Sequence, residues 1–238
     1  MAKKSRTPAP PRKVQAPQRR VEPRRRRSPE ERKTLWIAIA FAASGIAAIA
    51  IVAAIIFATG GKTSSSSGKG KEIDQSQLVG LQTGPAPWNA GLDHLPDRLG
   101  PLGLHPLTAE GQVIHIHQHL DIFVNGKRTT VPAGIGIFTG QFITELHTHP
   151  GEPGVIHVES PTNSSYTLGQ FFGVWGVRLT ADCIGGYCKE LTPWRMYLDG
   201  KRYAGNPSTL VLNAHEEIAF VIGKPPKKIP STYNWTGL

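Results

Sequence analysis

Sulfur is scarce in this chain of 238 residues, with two cysteines and two methionines, one of them the start residue. A copper–thiolate site wants a histidine and a methionine beside its cysteine, and with only Met196 to offer the chain gives that chemistry weak support. The two cysteines lie in Cys183-Ile-Gly-Gly-Tyr-Cys188. Across a Gly-Gly turn, outside the cytoplasm, they are expected to form a disulfide closing a small loop, with thiolate metal ligation as the alternative. Excess charge is also missing from most of the chain. Residues 1–33 hold 13 Lys/Arg against 3 Asp/Glu, a net of +10, and the other 205 residues hold 14 of each. The basicity belongs to a tail, and no nucleic-acid partner is expected for the rest. Hydrophobic residues make up 39% of the chain, enough for one ordinary core of about 150 residues with extensions.

Long apolar runs are absent except for one. Residues 1–33 are rich in Pro and Arg, with almost nothing to bury, and read as a disordered basic tail. From Leu35 to Ala58 no charge occurs and Ser44 is the one polar side chain. Residues 34–58 are therefore expected to form a single transmembrane helix, since the run can cross a hydrocarbon core of about 30 Å. It exceeds a signal-peptide core, so retention as an anchor is preferred over cleavage near Ala58-Thr59-Gly60. The cationic block ends at Arg32-Lys33, which places the tail in the cytoplasm and the remainder outside the membrane. Residues 59–77 read as a Gly/Ser linker. Gly61-Lys62-Thr63 lacks the upstream glycine and strand of a phosphate-binding loop. Residues 78–112 are broken by prolines yet carry Trp88 and several leucines, which predicts an arm packed along the domain. His94 and His105 in this arm read as structural.

Residues 113–238 form the expected His-rich β domain. In Ile114-His-Ile-His-Gln-His-Leu-Asp-Ile-Phe-Val124 the even positions are mostly apolar, and the odd ones carry His115, His117, His119 and Asp121. Period two makes this a strand with a core face and an imidazole face. Asn125-Gly126 signals a tight hairpin, whose return would set His119, His117 and His115 against Pro132, Gly134 and Gly136. A second hairpin is expected around Pro150 to Gly154. Its register opposes His147 to His157, Glu145 to Glu159 and His149 to Val155, so that imidazoles and carboxylates share one face. The connection at 137–144 is short, so the two histidine groups are expected to be adjacent.

Thr167 is expected to cap a short helix with Leu168, Phe171, Phe172 and Trp175 on its apolar face. Two further hairpins follow, Trp194–Leu198 with Lys201 onward, and 209–212 with 218–222. His215 falls in the second turn, and the segment from Pro225 through Trp235 reads as a terminal arm. Together these predict a β-rich α+β extracytoplasmic domain, β-grasp-like or a small β-sandwich.

Several of these segments, His117-Gln-His-Leu-Asp-Ile-Phe-Val-Asn-Gly-Lys127, His147-Thr-His149, Gly154-Val-Ile-His-Val-Glu-Ser160 and Leu168-Gly-Gln-Phe-Phe172, resemble a group of uncharacterised membrane-anchored actinobacterial proteins. The resemblance spans roughly residues 80–238 and implies an architecture without an activity. His147-Thr-His-Pro150 also resembles the core of the JAB/MPN metal-dependent isopeptidases, but Ser160-Pro-Thr-Asn163 lacks the aspartate that family needs. Cupins need a glutamate soon after a His-x-His pair, and His115-Ile-His117 has none.

Imidazole is the commonest transition-metal ligand, and His pairs at i, i+2 on neighbouring strands give three facial donors. The expected site is a copper or zinc centre drawing on His147, His149, His157, His115, His117 and His119. Glu145, Glu159 and Asp121 would orient the imidazoles. Metal capture, delivery or sensing at the membrane is expected more than turnover. The expected partners are the membrane itself and an envelope or respiratory protein, and no small-molecule substrate is indicated. An enzyme with an open three-histidine metal, and a metal-free envelope interaction domain, are the alternatives.

Overall fold

The computed structural model describes residues 70–238. The expected basic tail, the expected transmembrane helix and most of the linker lie outside these residues. Among the described residues no helix is long and apolar enough to cross a membrane.

The described chain is a β-rich α+β domain. In order it forms α1 (Leu95–Leu102), β1 (Ile114–Val124), β2 (Lys127–Thr129), β3 (Ile137–Phe138), β4 (Phe142–Ile143), β5 (Leu146–His147) and β6 (Val155–Ser160). There follow α2 (Leu168–Trp175), β7 (Cys183–Ile184), β8 (Tyr187–Cys188), β9 (Trp194–Leu198), β10 (Lys201–Tyr203) and β11 (Glu217–Ile222). A seven-stranded mixed sheet runs β10-β9-β11-β1-β6-β5, with β2 also on β1, while β3-β4 and β7-β8 form two small hairpins. The first and last long strands, β1 and β11, are parallel neighbours at its centre.

Period two decides what each face of the sheet does. The even positions Leu120, Ile122, Ile156, Val158, Ile218, Phe220 and Ile222 join the main core, together with Leu168, Phe171, Phe172 and Trp175 of α2. Thr167 begins that helix with a capping box: its hydroxyl accepts from the Gln170 N–H, and the Gln170 side chain accepts from the Thr167 N–H. Gly176 ends it at φ 69°, a left-handed conformation in which a side chain would also collide with the Arg98 guanidinium.

Arg98 comes from α1 in the Pro-rich arm, which is packed as expected, with Trp88, Leu95, Leu99 and Leu102 in the core. The buried guanidinium donates to the carbonyls of Gly173 (2.7 Å) and Val174 (3.0 Å), at the C-terminal end of α2, and to those of Gly91 and Val79. A cation is well placed there, because the carbonyl end of a helix carries partial negative charge. Burial lowers the Arg98 pKa to about 10, which leaves it charged at neutral pH.

The disulfide Cys183–Cys188 closes the β7-β8 hairpin. Three expectations are corrected. The strand returning from Asn125-Gly126 pairs with β1 only through residues 127–129. Pro132, lacking an N–H, and Gly134 and Gly136, both at positive φ, do not extend it. The histidine end of β1 pairs with β6 instead, so that His115, His117 and His119 oppose Glu159, His157 and Val155. The second expected late hairpin does not form either. The strand at 217–222 is held between β1 and β9, both of its edges taken, and Val211 bridges Thr167. Finally, the chain is docked from Gly70 rather than free through residue 77: the Gly70 N–H donates to the Thr209 carbonyl (2.8 Å) and Asn206 donates to Glu72 (2.8 Å).

Candidate metal centre

The histidine row follows from register. β5 and β6 pair so that His147 opposes His157, and β6 and β1 pair so that His157 opposes His117. Side chains that oppose one another across a ladder share a face. Three imidazoles therefore line up across three strands, on the side of the sheet away from α2. The two histidine groups, separate in the sequence, form one row. Ring centroids lie 4.5 Å apart for His117–His157, 5.3 Å for His147–His157, 4.8 Å for His147–His149 and 4.9 Å for His115–His117.

At one end of the row the donors are preset. His147 Nδ1 lies 2.9 Å from the Thr144 carbonyl oxygen. A carbonyl only accepts, so Nδ1 carries the hydrogen and Nε2 of the neutral ring presents a bare lone pair. Burial lowers the His147 pKa to about 4, and this outweighs the favourable Thr144 carbonyl and Glu159, so the ring is neutral at pH 7. That lone pair is 3.1 Å from His149 Nε2 and 3.8 Å from Glu159 Oε1. Two imidazole nitrogens sharing one tetrahedral zinc at about 2.0–2.1 Å lie about 3.4 Å apart, so the observed spacing suits a shared ion with little movement.

At the middle of the row, His157 sits between two carboxylates, with Nδ1 3.0 Å from Glu159 Oε1 and Nε2 2.7 Å from Glu152 Oε2. Burial works against its charged form, but these hydrogen bonds prevail and raise its pKa. Burial likewise opposes ionisation of Glu159, yet the hydrogen bond with His157 and the neighbouring imidazoles hold its carboxyl below the usual range. Positive charge at the centre of the row is thus favoured.

At the other end, His115 Nε2 is 3.3 Å from Glu159 Oε1. His117 is buried, its Nε2 has no hydrogen-bond partner, and burial followed by the nearby His157 and His115 lowers its pKa to about 4. Glu159 Oε2 is buried and without a hydrogen-bond partner as well. A buried polar atom with no partner costs about 1–3 kcal/mol, and an ion is one way of satisfying it.

Two sets of donor atoms within 4.8 Å of one another result: His147, His149, His157 and Glu159, and His115, His117, His157 and Glu159. His119 belongs to neither. It forms a third set with Asp121 and Glu217, in which its Nδ1 is 2.9 Å from Glu217 Oε2 and its ring stacks on Tyr233 at 4.1 Å. Burial raises the pKa of both carboxyls of this set.

The expected orienting acids divide in the same way. Glu159 sits at the heart of the row. Asp121 instead accepts from Arg128 (3.0 Å), and Glu145 faces His105 (3.4 Å). Three acids were not foreseen: Glu152, Glu110, 3.3 Å from His149, and Glu217. Glu217 shares the odd parity of β11 and was readable once β11 was known to pair with β1. Glu110 and Glu152 lie in irregular segments, where periodicity says nothing.

No known protein family, curated protein or solved structure matches this chain.

Proposed function

We propose that this protein is a membrane-tethered, extracytoplasmic transition-metal-binding module that captures, delivers or senses copper or zinc through its histidine row. The observation carrying this reading is His147. Its Nδ1 proton is fixed by the Thr144 carbonyl, and its free Nε2 converges with His149, His157 and Glu159. Outer hydrogen bonds that set the tautomer are what metal-bound histidines normally possess. Imidazole with a carboxylate suits Zn(II) and Cu(II) alike. The tether is the apolar run at 34–58, and the metal would pass to or from an envelope or respiratory protein. In architecture the domain is proposed as β-grasp-like, because two antiparallel pairs flank a helix and their inner strands are parallel at the sheet centre.

The test is elemental analysis and Zn(II) or Cu(II) titration of the protein purified without a histidine tag. Loss of an outer partner alone costs roughly 10–100-fold in affinity, so His147→Ala/His149→Ala is expected to lose more than about 100-fold. The same number of bound ions, held with the same affinities, in the wild type and this variant overturns the reading. It would leave a metal-free interaction domain, for which pH-dependent partner binding is the mark.

A further inference from the structure

The two donor sets of the histidine row overlap in His157 and Glu159, while the remaining histidines stand on opposite sides of these two residues. His147 and His149 come from β5 and the turn after it; His115 and His117 come from β1. Among the described residues no one set of mutually close donors contains both pairs. Each ring is held to its own strand, and the two pairs are separated by the strand that carries His157.

We infer that the row binds two divalent transition-metal ions side by side, one on His147 and His149 and one on His115 and His117, with the Glu159 carboxylate bridging them. This rests on the metal-binding reading proposed above and deepens it.

Three observations carry it. Glu159 Oε1 lies near histidines of both pairs, 3.3 Å from His115 Nε2 and 3.8 Å from His147 Nε2. Its second oxygen is buried with no hydrogen-bond partner, so the carboxylate keeps a spare donor. His117 Nε2 is buried and unpartnered too, and it stands on the β1 side, where a one-ion site on His147 and His149 would leave it without a use. A bridging carboxylate is the usual means of holding two cations close, because its two oxygens share one negative charge between them. Glu152 and Glu110, which lie against His157 and His149, add the negative charge that a second divalent ion requires. The loop carrying Glu152 turns through Gly151 and Gly154 at positive φ, and this carboxylate is the more exposed partner of His157.

The His119, Asp121 and Glu217 set is not the second site. His119 Nδ1 is engaged by Glu217, and Asp121 by Arg128.

The test uses the full-length protein, purified without a histidine tag, stripped with chelator and titrated with Zn(II) and separately with Cu(II). Two ions per chain are expected, by elemental analysis after desalting. His115→Ala/His117→Ala and His147→Ala/His149→Ala are each expected to retain one ion, and His119→Gln is expected to retain two. His115 is half exposed, so His115→Ala alone tests the second site with little risk to folding, and a loss of at least 10-fold in the second binding constant is expected. In the two-copper form the bridge is expected to couple the spins, giving an electron paramagnetic resonance intensity well below two spins per chain, and Glu159→Gln is expected to restore it. Saturation at one ion per chain overturns the inference while leaving the metal-binding reading intact, and no binding at all overturns both. Two uncoupled ions, or loss of an ion in His119→Gln, also overturn it.

Discussion

Lowering the pH from 7 to 5 without metal should weaken the domain through two imidazoles. Burial holds His147 and His117 to about 4, against an ordinary 6.5. Below pH 6.5 the unfolded chain takes up protons that the folded chain refuses. The stability present above 6.5 is therefore lost as the pH falls toward 4. Linkage at pH 5 gives about 2 kcal/mol for each histidine, about 4 kcal/mol for the pair. His157 has the opposite sign. Its raised pKa contributes stability that is fully present below 6.5 and is lost as the pH rises through the folded value, so acidification strengthens the domain at that one ring. The carboxyls of Asp121 and Glu217, raised by burial, also gain from acidification, while the lowered Glu159 carboxyl adds to the loss, so the net loss should fall short of about 4 kcal/mol, against the roughly 5–15 kcal/mol typical of a domain. The described residues, 70–238, form a domain suited to urea unfolding at both pH values. In His147→Leu about 2 kcal/mol of the pH dependence should disappear. The reasoning is refuted by a variant whose pH dependence matches the wild type, or by a wild type that gains stability on acidification.

Arg98→Met should cost at least about 3 kcal/mol in urea unfolding, because it strips a charged donor from buried carbonyls at the end of α2. Thr167→Ala should cost about 1 kcal/mol by removing one half of the capping box, and Thr167→Ser should restore most of it. Replacing both Cys183 and Cys188 by serine opens a small loop and should cost about 2 kcal/mol, read as a shift of the urea midpoint with zinc affinity unchanged.

Much of the site was legible because a strand has a period of two. Alternation in Ile114–Val124 and Val155–Ser160 assigns His117, His157 and Glu159 to one face before any partner is known, and the turn at 150–154 sets His147 against His157. The cap at Thr167 and the disulfide were local enough to read in the same way. What alternation cannot give is which strand lies beside which. Asn125-Gly126 specifies a turn, yet the turn carried only three residues of pairing, because the Pro and Gly that follow cannot continue a ladder. The partner that took the rest of β1, and the parallel partner β11 almost a hundred residues away, depend on the burial of whole faces. The split of His119 from the row follows from that non-local pairing, since Glu217 reaches it only across the β1–β11 seam.

The terminal arm bears on how the protein must be handled. Ile229 packs against Phe123, Ala219 and Val221, Tyr233 stacks on His119, and Trp235 stacks on His215, whose N–H donates to the His117 carbonyl. Leu238 is three residues beyond Trp235, so anything appended there begins a few residues from the rings that stack on His119 and His215. A C-terminal polyhistidine tag would meet the row at an effective concentration on the order of millimolar, and would compete for its metal or complete its coordination. Metal stoichiometries taken from such a protein would describe the tag as much as the fold.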